Sequence, residues 1–133
     1  MNRNVSWGLF VIRVGLAGVL LWFGVQEIFA PEAWIGYVPE WAITWSGVSA
    51  AAIVLLNGTL ETIFGLLMLV GVFTRIVALI MGLHLILIAF SLGYNSIAVR
   101  DIGLAMAFLG IAVAGGGAFS MPSDFIFRHR RAL

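Results

Sequence analysis

The sequence predicts an all-α integral membrane protein, a four-helix bundle with both termini in the cytoplasm. Three observations predict it. Hydrophobic residues make up 62% of the 133 and charged residues 10%, against about half and about a quarter in soluble domains. The mean hydropathy is +1.12. The apolar residues fall into four long runs whose basic flanks lie at alternate ends. This composition excludes a soluble globular domain, a disordered tail and a nucleic-acid binder. With no cysteine in the chain, disulfides, thiolate metal sites and an internal thiol relay are excluded too. A net charge of +1 says little about partners beyond the lipid bilayer itself.

A membrane-spanning helix needs about 20 mostly apolar residues. The runs are residues 7–29, 45–73, 75–92 and 97–117, followed by a tail over 118–133. Alternation at period two is absent, and lipid tolerates only helices and closed barrels. The first run reads as a retained helix rather than a cleaved signal. It is long, contains Arg13, and Pro31 follows the one small-residue candidate, Ala30. Gly71-Val72-Phe73-Thr74 and Gly93-Tyr94-Asn95-Ser96 read as tight turns. The connection over residues 30–44 is longer. Its Trp34, Tyr37 and Trp41 suit the membrane–water interface.

All seven basic residues are arginine. Arg3, Arg75 and the cluster Arg128, Arg130 and Arg131 fall on one side of four spans, which the positive-inside rule makes cytoplasmic. The long first connection, with Glu32 and Glu40, then faces outside. The localisation this implies is the cell membrane, multi-pass. The RHRR tail reads as a topology anchor touching anionic lipid. Helices in lipid pack through small residues. Gly103, Ala107, Gly110, Ala114 and Gly117 form one stripe on the last helix, and Gly8, Gly15, Gly18 and Gly24 a similar face on the first.

The polar residues inside the spans are the candidates for function, because an ionised side chain at mid-membrane costs about 2.5–3.5 kcal/mol on insertion scales. At about 1.5 Å per residue, Arg13 lies about 10 Å, His84 about 13 Å and Glu61 about 16 Å above the inner boundary. Asn57 stands one turn from Glu61 on the same face. Arg13, Asn57, Glu61 and His84 are therefore the candidate intramembrane polar site. Three of them have a plainer reading: Arg13 snorkelling inward, Glu61 and His84 hydrogen-bonding across a helix interface. A second, outer polar layer comprises Gln26, Glu27, Asn95, Arg100 and Asp101, with Arg100 expected to reach Glu27 or Asp101. Glu61 and His84 alone are too few ligands for a metal. No nucleophile arrangement suggests itself, so no catalytic residue is assigned.

Three stretches resemble the DoxX family of small four-helix membrane proteins. They are RVGLAGVLLWFGVQEIFAPEAWIGYVPEW (residues 13–41), NGTLETIFGLLMLVGVFTR (57–75) and GYNSIAVRDIGLAMAFLG (93–110). The N-G-x-x-E element, the G-x-F-T-R turn and the R-D pair are the most specific parts. The resemblance implies one transmembrane domain over residues 1–133 and a membrane subunit linked to oxidoreduction. Its relatives include a thiosulfate:quinone oxidoreductase subunit and a partner of soluble redox enzymes. The implied cofactor is a quinone, and the implied partner a soluble or membrane redox enzyme subunit. Where the family often carries His and Lys in an H-G-x-x-K pattern, this chain has Phe23 and Glu27. Two other functions compete with a quinone-linked subunit: a non-catalytic anchor or assembly partner of another enzyme, and a small transporter formed as a homo-oligomer.

Overall fold

The computed structural model describes residues 2–121 and is helical throughout. Helix α1 spans Arg3–Phe29, α2 Glu40–Ser46, α3 Ala50–Val70, α4 Thr74–Leu92 and α5 Ser96–Ala114. Four of these, α1, α3, α4 and α5, are long and apolar enough to cross a membrane. Much of their outward surface is bare hydrocarbon, including Val11, Phe29, Phe90 and Val113. A soluble monomer rarely leaves so large an apolar area uncovered; lipid covers it at no cost. The tail arginines and His129 lie outside the described residues.

Local chemistry sets the helix ends. Asn2, Ser49 and Asn95 cap α1, α3 and α5 by accepting backbone N–H groups, at 3.1 Å, 3.3 Å and 2.9 Å. Gly71, at φ 84°, closes α3, with its own N–H on the Met68 carbonyl and the Val72 N–H on that of Leu67. The left-handed Phe73 then starts α4 after a link of three residues. The second span is therefore shorter than the apolar run over residues 45–73. Gly47, at φ 68°, stops the chain before it. Trp45 belongs to α2, a surface helix that composition alone had merged with the span. Two single 3-10 turns, Pro31–Ala33 and Ile35–Tyr37, fill the rest of that connection. They dock on α1 through Trp34, whose ring meets Phe23 edge-on at 5.6 Å.

The long helices pack as two close antiparallel pairs, α1 with α3 and α4 with α5, joined to each other by sparser contact. Glycine makes the first pair close. A Cβ at Gly24 would lie 2.7 Å from the Gly58 carbonyl oxygen, and one at Gly58 would lie 2.7 Å from the Glu27 Cβ. Gly82 plays this part in the second pair, against Leu109 and Ala105. The small-residue stripe expected on α5 is not its packing face. Gly103 and Gly110 have nothing within 4 Å of a built Cβ, as do Gly8, Gly15 and Gly18 on α1. The buried face of α5 carries Ala98, Asp101, Ala105, Phe108 and Ile111. In lipid both faces of a helix are apolar, so glycine spacing alone does not say which face meets protein.

The chain leaves α5 at Ala114 and folds back across the end that holds the Gly71 turn. The Ala118 N–H bonds the Ser6 carbonyl at 3.0 Å and the Met121 N–H that of Gly71 at 2.9 Å. The Phe119 ring packs edge-on against Trp7 and Phe10, each at 5.6 Å. Both described ends of the chain thus lie at this Gly71 end. The opposite, loop end carries residues 30–49 and the short link before α5.

Candidate functional site

Asn57 on α3 is the centre of the site. Its amide nitrogen donates to Glu27 Oε2 at 2.8 Å and to Glu61 Oε1 at 3.1 Å. Its amide oxygen takes a hydrogen bond of 2.7 Å from His84 Nε2. An amide oxygen can only accept, so Nε2 is the protonated ring nitrogen in this contact. One neutral side chain thus gathers three titratable groups from α1, α3 and α4. Glu27 and Glu61 are buried, 8% and 5% exposed. Glu61 Oε2 is buried with no hydrogen-bond partner.

The arrangement regroups the residues picked out by depth. Glu27, placed by counting in the outer layer, belongs with Asn57, Glu61 and His84. Arg13, placed with them, does not. Helical side chains lean toward their own N-terminus. The α1 chain enters at the Gly71 end, so Arg13 and Glu27 both lean that way; α3 runs oppositely, so Glu61 leans toward the loop end. Glu27 and Glu61 therefore converge, while Arg13 and Glu61 diverge. Arg13 is only 1% exposed. It donates to the Gly116 carbonyl at 3.1 Å and lies over the Phe10 ring at 5.3 Å. Arg75 reaches the Ala114 carbonyl at 3.5 Å. Together the two cations meet the carbonyl-rich end of α5, where positive charge is favourable. Arg13 is thereby a clasp for the returning chain rather than a partner of Glu61.

Of the remaining outer-layer residues, Gln26 is exposed and Asn95 serves as the α5 cap. Arg100 pairs with its neighbour Asp101, through Nε at 2.9 Å and Nη2 at 2.8 Å. Its guanidinium also lies 4.7 Å from the centroid of the Phe23 ring. Both positions where the sequence departs from the H-G-x-x-K pattern, Phe23 and Glu27, therefore take part in the polar interior.

Two adjoining cavities open along the seams between the helix pairs. The first, about 200 Å³, lies between α3 and α4, with His84, Asn57 and Glu27 on its polar side and Val54, Leu87 and Ile88 among its apolar walls. The second, about 230 Å³, lies between α1 and α5 and is bordered by Glu27, Asn57, Glu61, Arg100 and Asp101. Trp34 and Tyr37 border both. Sequence reasoning assigned these two aromatics to the membrane interface and missed their place over the cavities. The only signal was Pro31, which starts the 3-10 turns that fold them back. Together the lobes reach the lower part of the range for small-molecule sites, roughly 300–1,000 Å³. An apolar cavity with a few convergent polar groups is the usual form of such a site.

No curated protein and no solved structure matches the chain. The sequence model of the DoxX family matches residues 8–93, which takes in most of α1, the aromatic connection, α3 and α4 and ends before the Arg100–Asp101 pair. With that match over more than half its length and four apolar helices around a polar interior, the chain is a multi-pass membrane protein of the DoxX family.

Proposed function

We propose that this protein is the membrane subunit of a quinone-linked oxidoreductase system, and that the lobe beside His84 holds the quinone headgroup. The observation that carries this reading is the first lobe itself: an apolar cavity walled by Val54, Leu87 and Ile88, with His84, Asn57 and Glu27 converging on one side. A bound quinone supplies a two-electron, two-proton couple. The chain's own residues supply hydrogen bonds and protons. His84 Nε2–H and the Asn57 amide border the lobe with their hydrogens shared inside the cluster, so a quinone carbonyl gains a donor there by taking one over from Asn57 Oδ1 or a carboxyl oxygen. Glu27 and Glu61 hold or release a proton at their carboxyl oxygens, with Asn57 fixing their spacing. Trp34 and Tyr37 add aromatic wall to the lobe, from the connection at the loop end. The open seam between α3 and α4 admits a lipid-soluble molecule sideways. With no cysteine in the chain, thiol chemistry cannot supply electrons from within, so a redox partner enzyme completes the system.

The test is a titration of purified protein with a short-chain quinone, read by quenching of tryptophan fluorescence. Saturable quenching is expected, since Trp34 and Trp41 border the lobe. Glu27→Gln and His84→Ala, both at residues that border this lobe, are expected to weaken binding about tenfold, which is the loss of about one hydrogen bond to a polar group. Unchanged affinity in both variants, with only a lower unfolding temperature, would make the cluster structural. Recovery of a soluble enzyme with a protein that binds no quinone would favour the anchor reading.

The reading also places the Gly71 end in the cytoplasm, on the alternation of Arg3 and Arg75 with the acidic connection. A cysteine introduced at Glu32 is expected to react with an impermeant reagent on intact cells. Reaction only after the membrane is opened would invert the topology.

A further inference from the structure

The second lobe differs from the first in chemistry. Glu27, Glu61 and Asp101 border it, and the one base there, Arg100, is already paired to Asp101. Glu61 borders this lobe and not the first, and its partnerless oxygen is in a residue 95% withdrawn from solvent. At the lobe's far end the Arg100 side chain is 46% exposed, uncovered by protein. Arg100 lies about 6 Å, four residues, into α5 from the loop end. A volume of about 230 Å³ accommodates several waters, since one needs roughly 10–15 Å³ of such space and two to four polar partners. The bordering carboxyls and amide provide those partners. An anion would meet three carboxyl groups, with the one base, Arg100, engaged by Asp101; a cation would meet the oxygens of those carboxyls.

We infer that the second lobe is a water-filled, cation-selecting path by which Glu61 exchanges protons with the loop-end surface, with the Arg100–Asp101 pair as its gate. A proton leaves the Glu61 carboxyl for a lobe water while another passes from the water chain to Asp101 or to bulk; no electron moves. The inference rests on the reading of Glu61 as a proton-handling group. It divides the interior into an apolar lobe for a lipid-soluble ligand and an acidic lobe for protons, meeting at Asn57.

The absence of native cysteine gives a test without background. Leu104 borders the second lobe and Leu87 the first. In nanodiscs, Leu104→Cys is expected to react with a small cationic methanethiosulfonate about tenfold faster than with an anionic one of similar size, the scale of focusing by like-charged walls. Asp101→Asn in that background should narrow the ratio, and Arg100→Gln should speed the cationic reagent. Leu87→Cys is expected to react with a lipid-soluble maleimide and with neither charged reagent. If Leu104→Cys does not fold, Val19→Cys tests the same lobe. Equal rates for the two charged reagents, or reaction only with the maleimide, would overturn the path. Cation-selective labelling in a protein that binds no quinone would sink the quinone reading and leave the path standing; quinone binding without such labelling would do the reverse.

Discussion

Replacing Asn57 with leucine is expected to be among the most destabilising single changes in the protein. The substitution removes three hydrogen bonds at once and leaves Glu27, Glu61 and His84 facing an apolar side chain. Each orphaned buried group costs about 1–3 kcal/mol in soluble proteins, whereas bonds between membrane helices average nearer 0.6 kcal/mol. A net loss of about 2–4 kcal/mol follows from those limits. Thermal unfolding in a mild detergent measures it. The control is a double change: adding Glu27→Gln to Asn57→Leu removes one orphaned acid and should restore part of the loss. Additive losses would show that Asn57 and Glu27 do not act as a unit.

The second large effect is expected at the glycine contact that lets α1 approach α3. In Gly58→Ala the new methyl would lie 2.7 Å from the Glu27 Cβ and 2.8 Å from the Gly24 carbonyl oxygen. Neither can swing aside as a flexible side-chain tip would, so the helices must part. Overpacking of this kind costs about 1–3 kcal/mol and sometimes more. It also draws Glu27 off Asn57, so quinone binding should fall with stability. Gly103→Ala and Gly110→Ala are the contrast. Both positions are open, and exchanging glycine for alanine within a helix gains up to about 1 kcal/mol. Melting temperatures of the four proteins, wild type included, check this. A destabilising Gly110→Ala would mean that the α5 stripe is covered by something after all.

How much of this was legible in the sequence depends on the kind of signal. The four spans and the two tight turns could be read because hydropathy and glycine act locally. The α2 helix could not be separated from α3, because Trp45 is as apolar as the span itself and only the left-handed Gly47 and the Ser49 cap divide them. The polar cluster was half legible. Asn57 and Glu61 share a face by spacing alone, and His84 lies near their depth. Glu27 and Arg13 changed places because depth was counted along the backbone, while their side chains lean toward the helix N-terminus, in directions set by helix polarity. The packing face of α5 was misread because an apolar environment on both sides removes the contrast that marks a buried face in water. Neither the cavities nor the fold-back of residues 115–121 onto Arg13 has a local sequence signature. They arise from how two helix pairs meet.

The most direct test of the central reading is the position of a bound quinone. A photoreactive short-chain quinone, bound to the purified protein and activated by light, should attach to residues bordering the first lobe. Peptides containing His84 and Leu87, or Val54 and Asn57, are expected to carry the label. An excess of unlabelled quinone should abolish it. Label confined to the lipid-facing surface at Phe90 or Val113, unaffected by competitor, would contradict the account.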